Sequence, residues 1–197
     1  MGEYTITLRL NEGYVWPDGT ETDKTIQWKI QPMKVKAPAA VTGLIYNGET
    51  RTGVAAGEGY TLEGEFKAVN AGEYTAVAKL TNTANYQWDD GTTEDKTIVW
   101  SIGEKTPAVS DFAVTYPRSE ELVYNGNAKK VTAKLSDSYP TQDITLTVVY
   151  TNADGIAVEE PTNAGTYTVK LRVSGSSNFA AAELALDDLT IVPMGLS

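Results

Sequence analysis

The stretch Tyr14–Ile30, YVWPDGTETDKTIQWKI, returns at Tyr86–Ile102 as YQWDDGTTEDKTIVWSI, and each tryptophan of the second copy stands 72 residues after its counterpart in the first. A fixed internal period sets the size of the structural unit more firmly than total length does. Within both copies Ile26, Trp28 and Ile30, and likewise Ile98, Trp100 and Ile102, recur at every second position. That period of two puts one face of a strand into a core and the other into water. Asp18-Gly19 and Asp90-Gly91 fall between strand-like runs. Such dipeptides favour positive backbone φ, so they predict hairpin turns.

Ahead of each copy lies another alternating run. In YTITLRL the set Tyr4, Ile6, Leu8 and Leu10 opposes Thr5, Thr7 and Arg9. Tyr74, Ala76, Ala78 and Leu80 repeat the pattern, and so do Tyr167, Val169, Leu171 and Val173. Further upstream, LIYNGET at Leu44–Thr50 and LVYNGNA at Leu122–Ala128 carry Asn-Gly turns of their own. Tyr124 follows Tyr46 by 78 residues, whereas Tyr167 follows Tyr74 by 93, so the last unit holds an insertion between its two turn motifs. Three segments result: 2–31, the back half of a repeat as a three-stranded meander; 34–103, a complete repeat; and 106–194, a longer one. A strand is expected over Asp143–Tyr150. NFAAAELALDD, Asn178–Asp188, reads as an irregular or strand-like connection.

Composition removes whole classes of function. The net charge of −10 disfavours a nucleic acid or an anionic membrane surface as partner. There is no cysteine, hence no disulfide frame, thiolate metal site or cysteine nucleophile; there is no histidine, the commonest general base. No apolar run is long enough to span a bilayer, and MGEYTITLRL lacks the pattern of a signal peptide. The acids of PDGTETD (17–23) and DDGTTED (89–95), and the pair Asp187-Asp188, offer oxygens for calcium, but their spacing does not match the twelve-residue calcium loop. They read as solvated turn tips. No catalytic, cofactor-binding or metal-binding residue is expected, and the chain is read as a non-enzyme.

NAGEYT and NAGTYT place Tyr74 and Tyr167 where a tyrosine corner locks the entry of a sandwich strand. With YNG in front, NAGxYT in the middle, NYxW or NF next and DGTxxDKTIxW before the end, the chain resembles the bacterial Ig-like and MBG/YDG-type tandem repeats of cell-surface adhesins. The last segment departs from that pattern, with Phe179 in place of Tyr86 and neither tryptophan. The resemblance implies an extracellular bacterial cell-surface location, with export signal and anchor outside this fragment. It implies an all-β fold of tandem small antiparallel β-sandwich (Ig-like) modules, with compact β-grasp-like modules as the alternative. A Lys–Asn crosslink of the kind some such domains carry could start from Lys34, Lys36 or Lys105, but TIVWSI and LTIVP hold no asparagine to receive it.

The function expected is a non-catalytic repeat segment of a surface protein, acting as stalk, spacer or adhesion module. Alternatives are direct binding of a host glycan or protein through exposed aromatics, and a phage virion Ig-like decoration module. Partners expected are neighbouring repeats of the same protein and a host glycan or protein, with no nucleic acid and no membrane insertion. Trp28 and Trp100, in phase with isoleucines, are expected in the core. Trp16, Trp88, Tyr14 and Tyr86 could cap its edge or face outward as a stacking platform for sugars. The apolar face of 2–31 needs a cover, expected from the linker and front strands around residues 33–50 or from another chain. Gly91→Val should destabilise its unit by about 1–3 kcal/mol through strain at positive φ; a chemical-denaturation midpoint equal to that of the parent chain would show that no such turn exists.

Overall fold

The computed structural model describes residues 2–140 and 144–195. Strand takes up 45% of the chain and helix 4%, and the sheets are several and small, so the chain is all-β as its periodicity predicts. In order, the strands are β1 (Gly2–Leu8), β2 (Lys24–Ile30), β3 (Met33–Val35), β4 (Leu44–Ile45), β5 (Arg51–Thr52), β6 (Tyr60–Gly64), β7 (Lys67–Ala68), β8 (Gly72–Leu80), β9 (Tyr86–Trp88) and β10 (Lys96–Gly103). There follow β11 (Phe112–Thr115), β12 (Thr132–Leu135), β13 (Leu146–Thr151), β14 (Ala157–Val158), β15 (Gly165–Val173), β16 (Ala182–Ala185) and β17 (Leu189–Ile191). Asp143, at the head of the run expected to form β13, lies outside the described residues. The ambiguous NFAAAELALDD run holds a strand, β16.

Two compact units make up the chain. One comprises Met1–Ala40, Val54–Phe66 and Thr75–Val99, the other Val41–Gly53, Lys67–Tyr74 and Trp100–Ser197. In the first, β1 and β2 pair antiparallel with Tyr4 opposite Trp28 and Ile6 opposite Ile26. β3 pairs in parallel with β9, joining Val35 to Trp88. β6 pairs antiparallel with β8, from Tyr60 opposite Leu80 to Gly64 opposite Ala76. Trp88, Val35 and Ala78 form the centre of the core here, with Tyr60, Leu62, Tyr86 and Ile98 around them.

These pairings correct three expectations. The Asp90-Gly91 turn is present, with Gly91 at φ +87°, but the strands it joins pair with different partners, so it closes no hairpin. Segment 2–31 has two strands rather than three: Tyr86–Trp88 is a strand because β3 lies beside it, and Tyr14–Trp16 has no such neighbour among the described residues. Nor does the linker strand complete the ribbon's sheet, since β3 pairs with β9.

In the second unit β13, β15 and β16 build a sheet, with β14 on the β13 edge and β17 also on β15; β11 and β12 form a second sheet. On β15 the alternation is complete: Tyr167, Val169, Leu171 and Val173 are buried and the intervening side chains are exposed. Phe112 of β11 and Leu135 of β12 pack on Leu171 and Val173, which joins the two sheets face to face in a small sandwich. Tyr74 donates to the Asn70 carbonyl at 2.7 Å and Tyr167 to that of Asn163 at 2.8 Å, the tyrosine corners the motif predicts.

One close contact governs the approach of residues 41–53 to β10. A Cβ on Gly53 would lie 1.8 Å from the Trp100 ring, so only glycine fits there. β4 then runs parallel to β10, with the Tyr46 N–H on the Gly103 carbonyl at 2.9 Å. The last segment repeats the arrangement with other side chains. There the Tyr124 N–H meets the Val192 carbonyl at 2.8 Å, and by the same count Val131 and Leu189, both in one core cluster, replace Gly53 and Trp100.

A polar and aromatic seam, also in this unit, ties Tyr46 and the Asn70-Ala71 turn to the last segment. Tyr46 and Phe179, both buried, meet edge-on at 5.5 Å, and Tyr139 lies 5.2 Å from Phe179. Buried Asp111 accepts from the Tyr139 hydroxyl and the Ala108 N–H, both at 2.8 Å, and pairs with Lys105 at 3.3 Å. Buried Asn178 accepts from the Ala71 N–H at 2.7 Å and donates to Asn70 Oδ1 at 3.1 Å. Sequence reasoning singled out neither residue for this role. Polar residues of ordinary type in loops gave no periodic signal.

Two outcomes follow from this packing. Gly53→Val should cost about 3 kcal/mol by overpacking, and adding Trp100→Leu should recover at least about 1 kcal/mol of it; additive losses in urea denaturation would mean the two residues are not in contact. Burial, then the hydrogen bond to Asp111, push the Tyr139 hydroxyl up to about 12. Below about pH 10 tyrosine keeps its proton whether folded or unfolded; from there to about 12 only the folded form keeps it, so stability should fall with rising pH. Tyr139→Phe should make that decline shallower, as read from denaturation midpoints at pH 9 and 11.

Candidate functional site

The four tryptophans fall into two structural pairs. Trp88 is fully buried, its indole N–H on the Glu94 carbonyl at 2.8 Å. Trp16 makes the same bond, to the Thr22 carbonyl at 2.8 Å, but is only half-buried and carries the Lys24 ammonium 5.4 Å over its ring. Trp100 is buried against Tyr74 at 4.8 Å, as expected. Trp28, its repeat partner, is 48% exposed, contrary to the expectation of a core position. It stacks on Tyr4 at 5.6 Å, but nothing among the described residues covers the face the pair forms. In-phase isoleucines report which side of a strand is apolar, not whether another layer lies on it.

The expected sugar platform is therefore not one surface. Trp88 is sealed inside, Tyr86 is half-buried and packs on the same core, and Tyr14 is 68% exposed. Tyr14 and Trp16 are each more open to solvent than their repeat partners Tyr86 and Trp88.

The acidic turns are held by their own lysines. Asp90 Oδ1 accepts from the Thr92 N–H at 2.9 Å and its hydroxyl at 2.6 Å, while Oδ2 meets Lys96 at 2.7 Å. Asp18 repeats this with Thr20 and Lys24. The hydrogen bond from Lys24, then those from Thr20, hold the Asp18 carboxyl at about 2, and the corresponding bonds from Lys96 and Thr92 hold Asp90 well below the usual carboxylate range. Each carboxylate thus has two internal partners that fix a Trp-x-Asp-Gly-Thr turn, which gives these aspartates a structural task. The remaining candidates are scattered. Lys34 reaches the Asp89 carbonyl at 3.4 Å, and the Asp187 carbonyl accepts from Tyr116. Among the described residues no three His, Cys, Asp or Glu side chains converge as a metal site.

No curated protein and no solved structure matches the chain. One protein family does: the MBG domain, whose model matches residues 111–193, the stretch that holds β11 through β17. It is a domain found in bacterial surface proteins and is not a known enzyme family. Residues 111–193 are thus similar to the MBG domain, a likeness that suggests a bacterial surface-protein repeat module in that stretch.

Proposed function

We propose that the chain is a non-catalytic spacer of an extracellular bacterial surface protein, a stretch of stalk built to bear tension between whatever lies at its two ends. The observation that carries this reading is the parallel pairing of entry and exit strands. β4 runs beside β10 in parallel, and Val123 bridges Val192 in parallel. A second parallel contact precedes each, β3 with β9 and Lys105 with Phe179. Opposite pulls on the two strands of a parallel pair load their hydrogen bonds in shear, all at once, whereas a hairpin pulled from its open end yields one bond at a time. The charge of −10 supports the same role, since self-repulsion keeps a surface segment soluble and apart from its neighbours.

Burial of Trp88, the best-placed ring of the complete middle repeat, counts against a repeating glycan platform. Solvent access of Tyr14 and Trp16 favours, as a second reading, a local aromatic contact with a host glycan.

Single-molecule pulling from the chain ends tests the first reading. Tyr124→Pro deletes the N–H that meets the Val192 carbonyl, and Tyr124→Ala keeps it. The proline chain should lose its highest unfolding force, and the alanine chain should retain it. Equal forces in all three chains would mean that the parallel pair bears no load.

A further inference from the structure

The ribbon of β1 and β2 has two unlike faces. Glu3 and Lys29, opposite one another, form an ion pair on one. The other carries Tyr4, Ile6, Ile26, Trp28 and Ile30, from 41% to 52% exposed. A run of five large apolar side chains on one side of a two-stranded ribbon is unusual on a protein surface unless something docks there.

The same face occurs a second time in this chain, and there it is covered. Tyr74, Ile98, Trp100 and Ile102 occupy the places of Tyr4, Ile26, Trp28 and Ile30 on the neighbouring strands β8 and β10. Both aromatic pairs are in contact, at 5.6 Å and 4.8 Å, but Trp100 is 3% exposed and Trp28 48%. The difference is the segment 41–53, which lays Gly53 against the Trp100 ring and β4 beside Ile102.

The third copy shows that this cover is matched to the ring beneath it. Where β10 has Trp100 under Gly53, the corresponding places hold Leu189 of β17 and Val131, both buried in one core cluster. Bulk moves from one partner to the other while the layer stays closed. The ribbon carries the tryptophan of that exchange, so its complement must carry the glycine.

We propose that the Tyr4–Trp28 face is a docking surface for the front half of a repeat of the 33–71 type, a segment with a Tyr-Asn-Gly turn and, five residues beyond that turn's glycine, a second glycine that lies on the Trp28 ring. A front half with valine there, as in 106–163, does not fit. Ile6 and Leu8 stand where β8 has Ala76 and Ala78, and β15 has the larger Val169 and Leu171 at those places, so bulk is tolerated at these two positions within this architecture.

The test adds a second copy of residues 33–71 directly ahead of Gly2 in the full chain, which recreates the native Asn-Ala-Gly-Glu-Tyr-Thr junction. Amide hydrogen exchange of β1 and β2 and acrylamide quenching of Trp28, isolated by comparison with Trp28→Phe, are the readouts. Protection of Tyr4–Leu8 should rise at least tenfold and Trp28 quenching should fall to the level of Trp100. The glycine-to-valine change at the Gly53 position of the added copy should reverse both. A companion chain with Ile6→Ala and Leu8→Ala makes the ribbon face match that of β8, so that overpacking at those two sites cannot hide the effect. Unchanged exchange and quenching in both fusions would overturn the proposal. So would protection of the same residues in the unfused chain by concentration-dependent dimerisation, which would give the face to a second ribbon.

Discussion

The contact between the Trp100 ring and the bare Cα of Gly53 is the constraint from which the middle of the chain takes its form. An indole on a strand demands a layer above it, and a layer that close demands a residue with no side chain. Once both are met, residues 41–53 lie near enough to β10 for β4 to pair with it in parallel, and Trp100 is shut off from water. The largest apolar side chain in a sheet is thereby satisfied by the smallest residue in a loop. Burial of a large side chain is worth about 1.5–3 kcal/mol, a sizeable fraction of the roughly 5–15 kcal/mol that holds a domain folded.

Much of this was legible in the residues. Alternation located β1, β8, β10 and β15 and named the apolar side of each, a side that faces inward on β8, β10 and β15 and outward on β1. Gly19, Gly48, Gly91 and Gly126 all have positive φ, because few other residues accept it. The tyrosine corners followed from Tyr placed four residues after Asn in NAGxYT. Pairing partners were not legible. Sequence neighbours joined by a tight turn read as a hairpin, yet β9 and β10 each found a parallel partner far away, and two- and three-residue strands such as β3 and β4 carry too few positions to show any period.

The candidate site was legible only in part, for a related reason. Phase distinguishes the apolar side of a strand from its polar side, which is why Trp28 and Trp100 looked alike. What separates them is tertiary: one has a loop upon it and the other does not. The acidic turns are the converse case. Asp18 and Asp90 look like ligands in search of a cation, but a lysine six residues on supplies the positive charge from within the turn. A carboxylate already engaged by an ammonium and a threonine has little left to offer an ion in solution.

The buried amide of Asn178 couples two segments of the chain. It belongs to the later segment, but the backbone N–H it satisfies, that of Ala71, belongs to the tyrosine-corner turn of the earlier one. Dependence at that point is mutual: if the two segments part, the Ala71 N–H loses its Asn178 acceptor, Asn178 loses Asn70 as its own acceptor, and Tyr46 and Phe179 lose each other's rings. An array joined through such seams does not come apart as independent beads. Opening of either segment at this seam strips contacts from the other, so the two lose their order together.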